Sequence, residues 1–306
     1  MSMLTRARPK CCGNNTSIAF ERVAMKKNVI TRLAVMLFIV ICVTFSSGIK
    51  VSALEKKVFI TLKVNGSCIA VDPEALPYVK NDRTYVPVRF VAEALGAKVD
   101  WVGEEKKVII TTEETTIEMF QQSCEMYVNG EKKVMDAEVE VLGGRTMVPV
   151  RFAAEELGYT VEWDESTYSV LIYKEGAEVP AASIYNRPYT DEDIIWLARI
   201  IKVEGGSLSI AGKVGIANVV LNRVKSSRFP DTIYDVIFDA DYSVQFPPAH
   251  KESFRELEVS GDCVIAAKMA LEGINNVDCC LFFNNVPFKS KANDLFTVID
   301  GEYFYY

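Results

Sequence analysis

Histidine is almost absent from this sequence: His250 is the only one among 306 residues. Catalytic zinc sites rely on imidazole ligands, so this composition argues against metal-assisted chemistry and asks for no cofactor. A cysteine framework is missing as well. Cys11, Cys12 and Cys42 fall near the N-terminus, and the five others (Cys68, Cys124, Cys263, Cys279, Cys280) are odd in number and not spaced as a scaffold. Adjacent Cys279 and Cys280 open an apolar run and read as buried thiols. No apolar run reaches the ~20 residues of a spanning helix; the run 33–45 stops at about 13. Positive charge is scarce beyond the first 53 residues. Those hold eight of the 34 Lys and Arg but one of the 41 Asp and Glu, leaving 26 against 40, a net of −14. So acidic a body repels nucleic acid and anionic head groups, which argues against both as partners.

What is present begins with an export signal. Met25-Lys26-Lys27 and Arg32 form a basic region, the apolar run follows, and Val51-Ser52-Ala53 supplies a small-residue cleavage site. Residues 1–53 therefore read as a secretory signal peptide with an upstream extension, with an uncleaved anchor as the alternative. The expected destination is outside the cell.

The next feature is an internal duplication. Arg83-Thr84-Tyr85-Val86-Pro87-Val88-Arg89-Phe90 with Ala92-Glu93 and Leu95-Gly96 recurs 62 positions later as Arg145-Thr146-Met147-Val148-Pro149-Val150-Arg151-Phe152 with Ala154-Glu155 and Leu157-Gly158. Both copies run on to a tryptophan, Trp101 and Trp163, and both follow a Val-Asn-Gly, at 64–66 and 128–130. Each copy reads as strand, turn, strand, helix, strand, strand. The β-branched run 58–62 predicts the first strand, and Asn-Gly predicts its hairpin turn. Pro87 and Pro149 stand where a missing N–H costs least, before a helix. Gly96 and Gly158 stand where helices stop. Arg89 and Arg151 could hold an anion, but ion pairs with Glu93 and Glu155 one turn on explain them more simply. The R-T-x-V-P-V-R-F-x-A-E-x-L-G motif resembles the copper amine oxidase N-terminal domain family over residues 54–174. That resemblance implies a stalk or spacer, wall-associated or binding another wall protein, and no copper chemistry. Residues 175–189, with Pro180 and Pro188, read as a linker.

The pattern then turns helical. Thr190-Asp191-Glu192-Asp193 is a capping-box start, Ile194, Leu197 and Ile201 form an apolar stripe, and Gly205-Gly206 reads as the stop. Glu204 is the next residue on that stripe. On a buried face, and at the negative end of the helix dipole, its carboxyl is expected to hold its proton. A general acid for a glycosidic oxygen needs that property; an end-of-helix Glu turned to water is the plain alternative. A second helix spans 212–224, a third lies near 262–272, and strands are expected at 281–285, 297–299 and 303–306. The aromatic–polar patch Tyr242-Ser243-Val244-Gln245-Phe246 suits sugar rings, although such stripes more often pack a core.

Ala198-Arg199-Ile200-Ile201-Lys202-Val203-Glu204-Gly205-Gly206, the Gly212-Lys213-Val214 to Leu221-Asn222-Arg223-Val224 stretch and Phe229-Pro230-Asp231-Thr232-Ile233 together resemble the SleB/CwlJ-type cell wall hydrolases, which include spore-cortex lytic enzymes. The resemblance covers residues 190–306 and implies Glu204 as catalytic acid, with Gln245, Phe246, Phe283 and Asn285 lining the substrate cleft. Leu208 stands where that family often has a second acidic residue, and Glu302 where it often has histidine. Asp231, Asp235, Asp239 and Asp241 are second carboxylates only by proximity in sequence, and a lone Glu suits lytic transglycosylation. The resemblance thus implies a peptidoglycan-cleaving lytic transglycosylase acting on glycan strands. A hydrolytic muramidase or glucosaminidase, and a peptidoglycan-binding wall protein without catalysis, are the alternatives. The expected fold is α+β: a two-repeat sheet-and-helix stalk, then a mostly helical, lysozyme-like hydrolase domain with a small β-sheet.

Overall fold

The computed structural model describes residues 59–306 except 242, 243 and 260. The expected signal segment and the Tyr242-Ser243 part of the aromatic–polar patch lie outside the described residues. The fold is α+β, with sheets dominating up to residue 173 and helices after 190.

The first repeat opens with the hairpin β1 (Thr61–Val64) and β2 (Ser67–Cys68), turned by Asn65 and Gly66 at φ 47° and 82°, the left-handed pair of a two-residue turn. β1 starts later than the apolar run 58–62 suggests, because pairing begins at Thr61 against the last strand of the second repeat. The strands β3 (Tyr78–Lys80) and β4 (Arg83–Pro87) lead into α1 (Val88–Ala94), capped by Pro87 and followed by Gly96 at φ 78°. The copy closes with β5 (Lys98–Val102) and β6 (Lys107–Thr111). The second copy contains β7 (Thr116–Phe120), β8 (Glu125–Val128), β9 (Glu131–Val134), β10 (Glu140–Leu142) and β11 (Arg145–Pro149). It ends with α2 (Val150–Glu156), β12 (Thr160–Asp164) and β13 (Ser169–Tyr173).

The copies do not follow one another as beads. β4 and β11 pair antiparallel, with Tyr85 opposite Pro149, Val86 opposite Val148 and Pro87 opposite Met147. The repeat relates these partners to each other, so the motif pairs with its own copy about a local two-fold axis through Val86 and Val148. This is the self-complementary contact of a symmetric dimer, built within one chain. Both valines are buried. β13 returns to pair parallel with β1, which ties the end of the second copy to the start of the first. Arg151 stands 3.7 Å from Glu155, as the helical spacing suggested.

In the helical part, α3 (Asp191–Gly205) starts at Thr190, whose hydroxyl accepts from the Asp193 N–H while the Asp193 carboxylate accepts from the Thr190 N–H. Ile194, Leu197 and Ile201 are fully buried. The expected glycine stop takes another form: Gly205 is the last helical residue and Gly206 is right-handed. A Cβ on Gly205 would lie 2.3 Å from Ile216 Cδ1. That glycine permits the close approach of α4 (Ile210–Val224) and does not supply a left-handed turn. The helices α5 (Ile233–Phe238), α6 (Glu252–Arg255) and α7 (Asp262–Leu271) complete the cluster, and the strands β14 (Phe282–Asn284), β15 (Leu295–Ile299) and β16 (Glu302–Tyr305) form a sheet in the order β14-β16-β15.

Residues 175–189 are not loose chain throughout. Ile184 bridges Ile69, and the Tyr185 N–H donates to Cys68 O at 2.8 Å. The described residues belong to one compact unit, and a buried lysine sits where the sheets meet the helices. Lys268 of α7 donates to Thr61 Oγ1 at 2.8 Å, Thr167 O at 2.9 Å and Tyr168 O at 3.0 Å. All five described cysteines are free; Cys280 is buried, but Cys279 is exposed, contrary to the expectation of two buried thiols. No helix among the described residues is long and apolar enough to cross a membrane.

Candidate active site

Glu204 lies at the end of α3, on the stripe that buries Ile201 one turn earlier. Its Oε1 is buried and has no hydrogen-bond partner. An unsatisfied buried polar atom costs on the order of 1–3 kcal/mol, and such atoms concentrate where function needs them. Burial pushes the Glu204 carboxyl above the ordinary range; the like charge of Glu302 adds to this, and Arg223 opposes it. The C-terminal end of the α3 dipole acts in the same direction as the burial.

Arg223 comes from the last turn of α4 and is itself buried. Its Nε donates to Leu281 O at 2.8 Å, while Nη1 is buried without a hydrogen-bond partner. The guanidinium lies 5.0 Å from the ring centres of both Phe229 and Phe246, and 5.7 Å from that of Phe282. Burial draws its pKa down to about 10, against the pull of Asp239 and Glu204. An aromatic cage thus holds a partly desolvated cation in the electrostatic reach of Glu204.

Glu302, the first residue of β16, is the charged group that sequence reasoning did not place in the site. Side chains alternate along a strand, so Glu302 shares a face with Phe304. Phe304 is fully buried and packs on Gly215 of α4, where an added Cβ would lie 2.7 Å from its Cζ. That face of β16 therefore turns towards α4, and Glu302 with it. The β15–β16 turn is pinned as well, since the Asp300 carboxylate accepts from the Ser209 N–H at 2.9 Å, at the cap of α4. Burial pushes the Glu302 carboxyl up. The usable signal in the sequence was an acidic residue two positions before a phenylalanine in the aromatic strand 303–306, at the place where the resembled family has histidine.

The other expected residues divide. Phe246 is almost wholly buried, with Arg223 against its ring and Phe283 at 6.5 Å, so it forms a wall beneath the guanidinium and not an open platform. Phe283 is half-buried between Phe246 and Phe304. Gln245 is half-buried and its N–H donates to Asp239 O at 3.4 Å. Asn285 is exposed just past the end of β14. Of the nearby aspartates, Asp239 acts on Arg223 and Asp235 is engaged by Thr232 at the cap of α5. A cavity of about 1050 Å³ lies in the sheet-rich part, with Tyr78, Arg83, Leu142, Arg151 and Trp163 on its walls. Glu204, Arg223 and Glu302 are not among its lining residues, so that cavity is not where the perturbed carboxyl sits. Among the described residues no group of three His, Cys, Asp or Glu could hold a metal ion.

Two family matches agree with this architecture. Residues 63–172 match the copper amine oxidase N-terminal domain family, and residues 208–305 match the Cell Wall Hydrolase family. The second match begins just after Glu204, so that residue rests on the geometry of α3 and the motif around it. Among solved structures, the chain is similar to the catalytic domain of the germination-specific lytic transglycosylase SleB from Bacillus anthracis: 24% identity, TM-score 0.35, covering 40% of this chain and 100% of that one. The catalytic domain of the Bacillus cereus SleB protein gives 24% identity and TM-score 0.35, covering 39% of this chain and 92% of that one. No curated protein matches the chain.

Proposed function

We propose that the protein cleaves the glycan strands of peptidoglycan as a lytic transglycosylase, with Glu204 as its acid and base, and that residues 190–306 make up the catalytic domain. The observation that carries this reading is the Glu204 carboxyl, its Oε1 buried without a hydrogen-bond partner, in the electrostatic reach of a second carboxylate and a caged arginine. Burial favours its neutral form, which is the form that can donate a proton to a leaving oxygen. In the first half of the reaction Glu204 protonates the oxygen joining N-acetylmuramic acid to N-acetylglucosamine, and the bond from that oxygen to the anomeric carbon breaks. In the second half the resulting carboxylate takes the proton of the muramic C6 hydroxyl, whose oxygen bonds to the anomeric carbon. The products are a free 4-hydroxyl and a 1,6-anhydro end, and Glu204 is protonated again. The match to the cell wall hydrolase family supports the substrate class. Export to the wall or spore envelope, with the sheet-rich part as a wall-associated stalk, is the corresponding placement.

Hydrolysis is the second reading, and the presence of Glu302 favours it, because two carboxylates are what a hydrolytic glycosidase uses. Mass spectrometry of fragments released from purified vegetative peptidoglycan and from spore cortex by the full chain separates the readings. Anhydromuramic ends that vanish in Glu204→Gln are the expected result, and reducing ends would mean that water attacks instead. Full activity in Glu204→Gln sinks the assignment of that residue, and binding without any release would make this a wall-binding protein.

A further inference from the structure

We propose that Glu302 is the second carboxylate of the site and a positioning residue: its anionic side chain, on the α4-facing side of β16, keeps the transferable proton on Glu204. The inference rests on Glu204 being the acid and adds what holds it in that state.

Placement comes first. Glu302 sits opposite Ile299 at the turn end of the β15–β16 hairpin, next to the turn at Asp300 and Gly301. Two contacts fix that hairpin on α4. Phe304 presses its ring on the bare backbone of Gly215, and the Asp300 carboxylate takes the Ser209 N–H. Ser209 and Gly215 lie on consecutive turns of one helix end, and Glu302 lies between Asp300 and Phe304 in the strand. Its side chain is therefore held over the N-terminal half of α4, and Leu208 spans from there to α3: its Cδ1 would lie 3.1 Å from a Cβ on Gly212, which Asp300 Oδ2 also approaches, and 2.9 Å from a Cβ on Gly205. Glu204 is the neighbour of that glycine.

The electrostatics follow from the placement. The charged groups that act on Glu204 are Glu302 from β16 and Arg223 from α4. Asp239, beyond α5, acts on Arg223. Lys202, on the same helix as Glu204, is directed elsewhere, its Nζ donating to Glu258 O at 2.8 Å. Glu204 is the more deeply buried of the two carboxyls, with Oε1 fully covered. When two carboxyls share a site, the better solvated one ionises first and its charge disfavours the second ionisation. Glu302 is thus the anion and Glu204 the acid, so two chemically identical groups take opposite roles through their surroundings. The same negative charge also suits the cationic character that an anomeric carbon acquires as its bond breaks.

The test is the pH profile of kcat/KM for the full chain on peptidoglycan, in wild type, Glu302→Gln, Glu302→His and Glu302→Asp. Activity needs protonated Glu204, so it falls as pH rises through that group's pKa. Removing the like charge lets Glu204 lose its proton sooner. The falling limb therefore moves to lower pH in Glu302→Gln and Glu302→His, with severalfold loss at neutral pH and activity retained at the acidic end. Glu302→Asp restores the charge and keeps the limb near its wild-type position. A limb unmoved in either charge-removing variant overturns the proposal, and so does loss at every pH in variants whose melting curves are normal. If Glu204→Gln is itself active, the underlying reading fails. If Glu204→Gln is dead and the limb does not move, only the role of Glu302 fails.

Discussion

Replacing Gly215 with alanine inserts one methyl group between α4 and β16. The new Cβ would stand 2.7 Å from Phe304 Cζ, 3.1 Å from Phe304 Cε1 and 3.3 Å from Val277 Cγ1. None of these atoms can retreat easily. Phe304 is wholly buried, with the Phe283 ring centre 6.1 Å away and Val277, also buried, in the same core cluster. Overpacking of this kind costs about 1–3 kcal/mol. Alanine returns about 1 kcal/mol of helix propensity that glycine forfeits in the middle of a helix. The ring is confined, so the upper half of the overpacking range applies, and the net loss is about 1–2 kcal/mol. In a chain of this size each kcal/mol moves Tm by about 2–4 °C, so a fall of about 2–8 °C is expected by calorimetry. Activity should fall further than stability, because a displaced Phe304 carries Glu302 with it. A Tm that rises, as helix propensity alone would produce, refutes the close α4–β16 contact and the placement of Glu302 derived from it.

The remaining expectations concern charge. Arg223→Met removes the cation that opposes the burial of Glu204, so the falling limb of the pH profile should move to higher pH, opposite in sign to Glu302→Gln; a shift to lower pH would contradict the electrostatic order of the site. At Lys268, burial draws the pKa from 10.5 down to about 7, against three hydrogen bonds that employ all three ammonium protons. Below about 7 both folded and unfolded chains carry this proton, and between about 7 and 10.5 the unfolded chain alone holds it. Stability therefore rises with pH across that window. Urea unfolding at about pH 6 and about pH 9 should show wild type gaining on Lys268→Met at the higher value; a constant difference would mean that the folded lysine keeps its proton throughout.

Features determined within a few residues are legible in the chain's own spelling. Asn-Gly at 65–66 and 129–130 forms left-handed turns, Gly96 and Gly158 stop helices, and the Thr190–Asp193 box starts α3. Each follows from backbone sterics or from the orphan N–H groups of a helix start. The buried stripe that ends in Glu204 is legible from helical period. Gly205 shows the limit: its sequence context suggests a left-handed stop, yet it is helical and spaces α3 from Ile216, and only the identity of the facing helix distinguishes the two roles.

The sequence by itself determined the duplication, the change from sheets to helices and the place of Glu204 on a buried helical stripe, because these depend on spacing along the chain. Tertiary structure alone decided that the two motifs pair about Val86 and Val148, and that β13 runs beside β1. It likewise decided that Lys268 is buried where sheets and helices meet, and that Glu302 shares the site of Glu204. Those partners lie tens to hundreds of residues apart. Local propensity carries no record of which distant surface a side chain will meet, and burial, which sets the proton affinity of a carboxyl, exists only after the chain has closed over it.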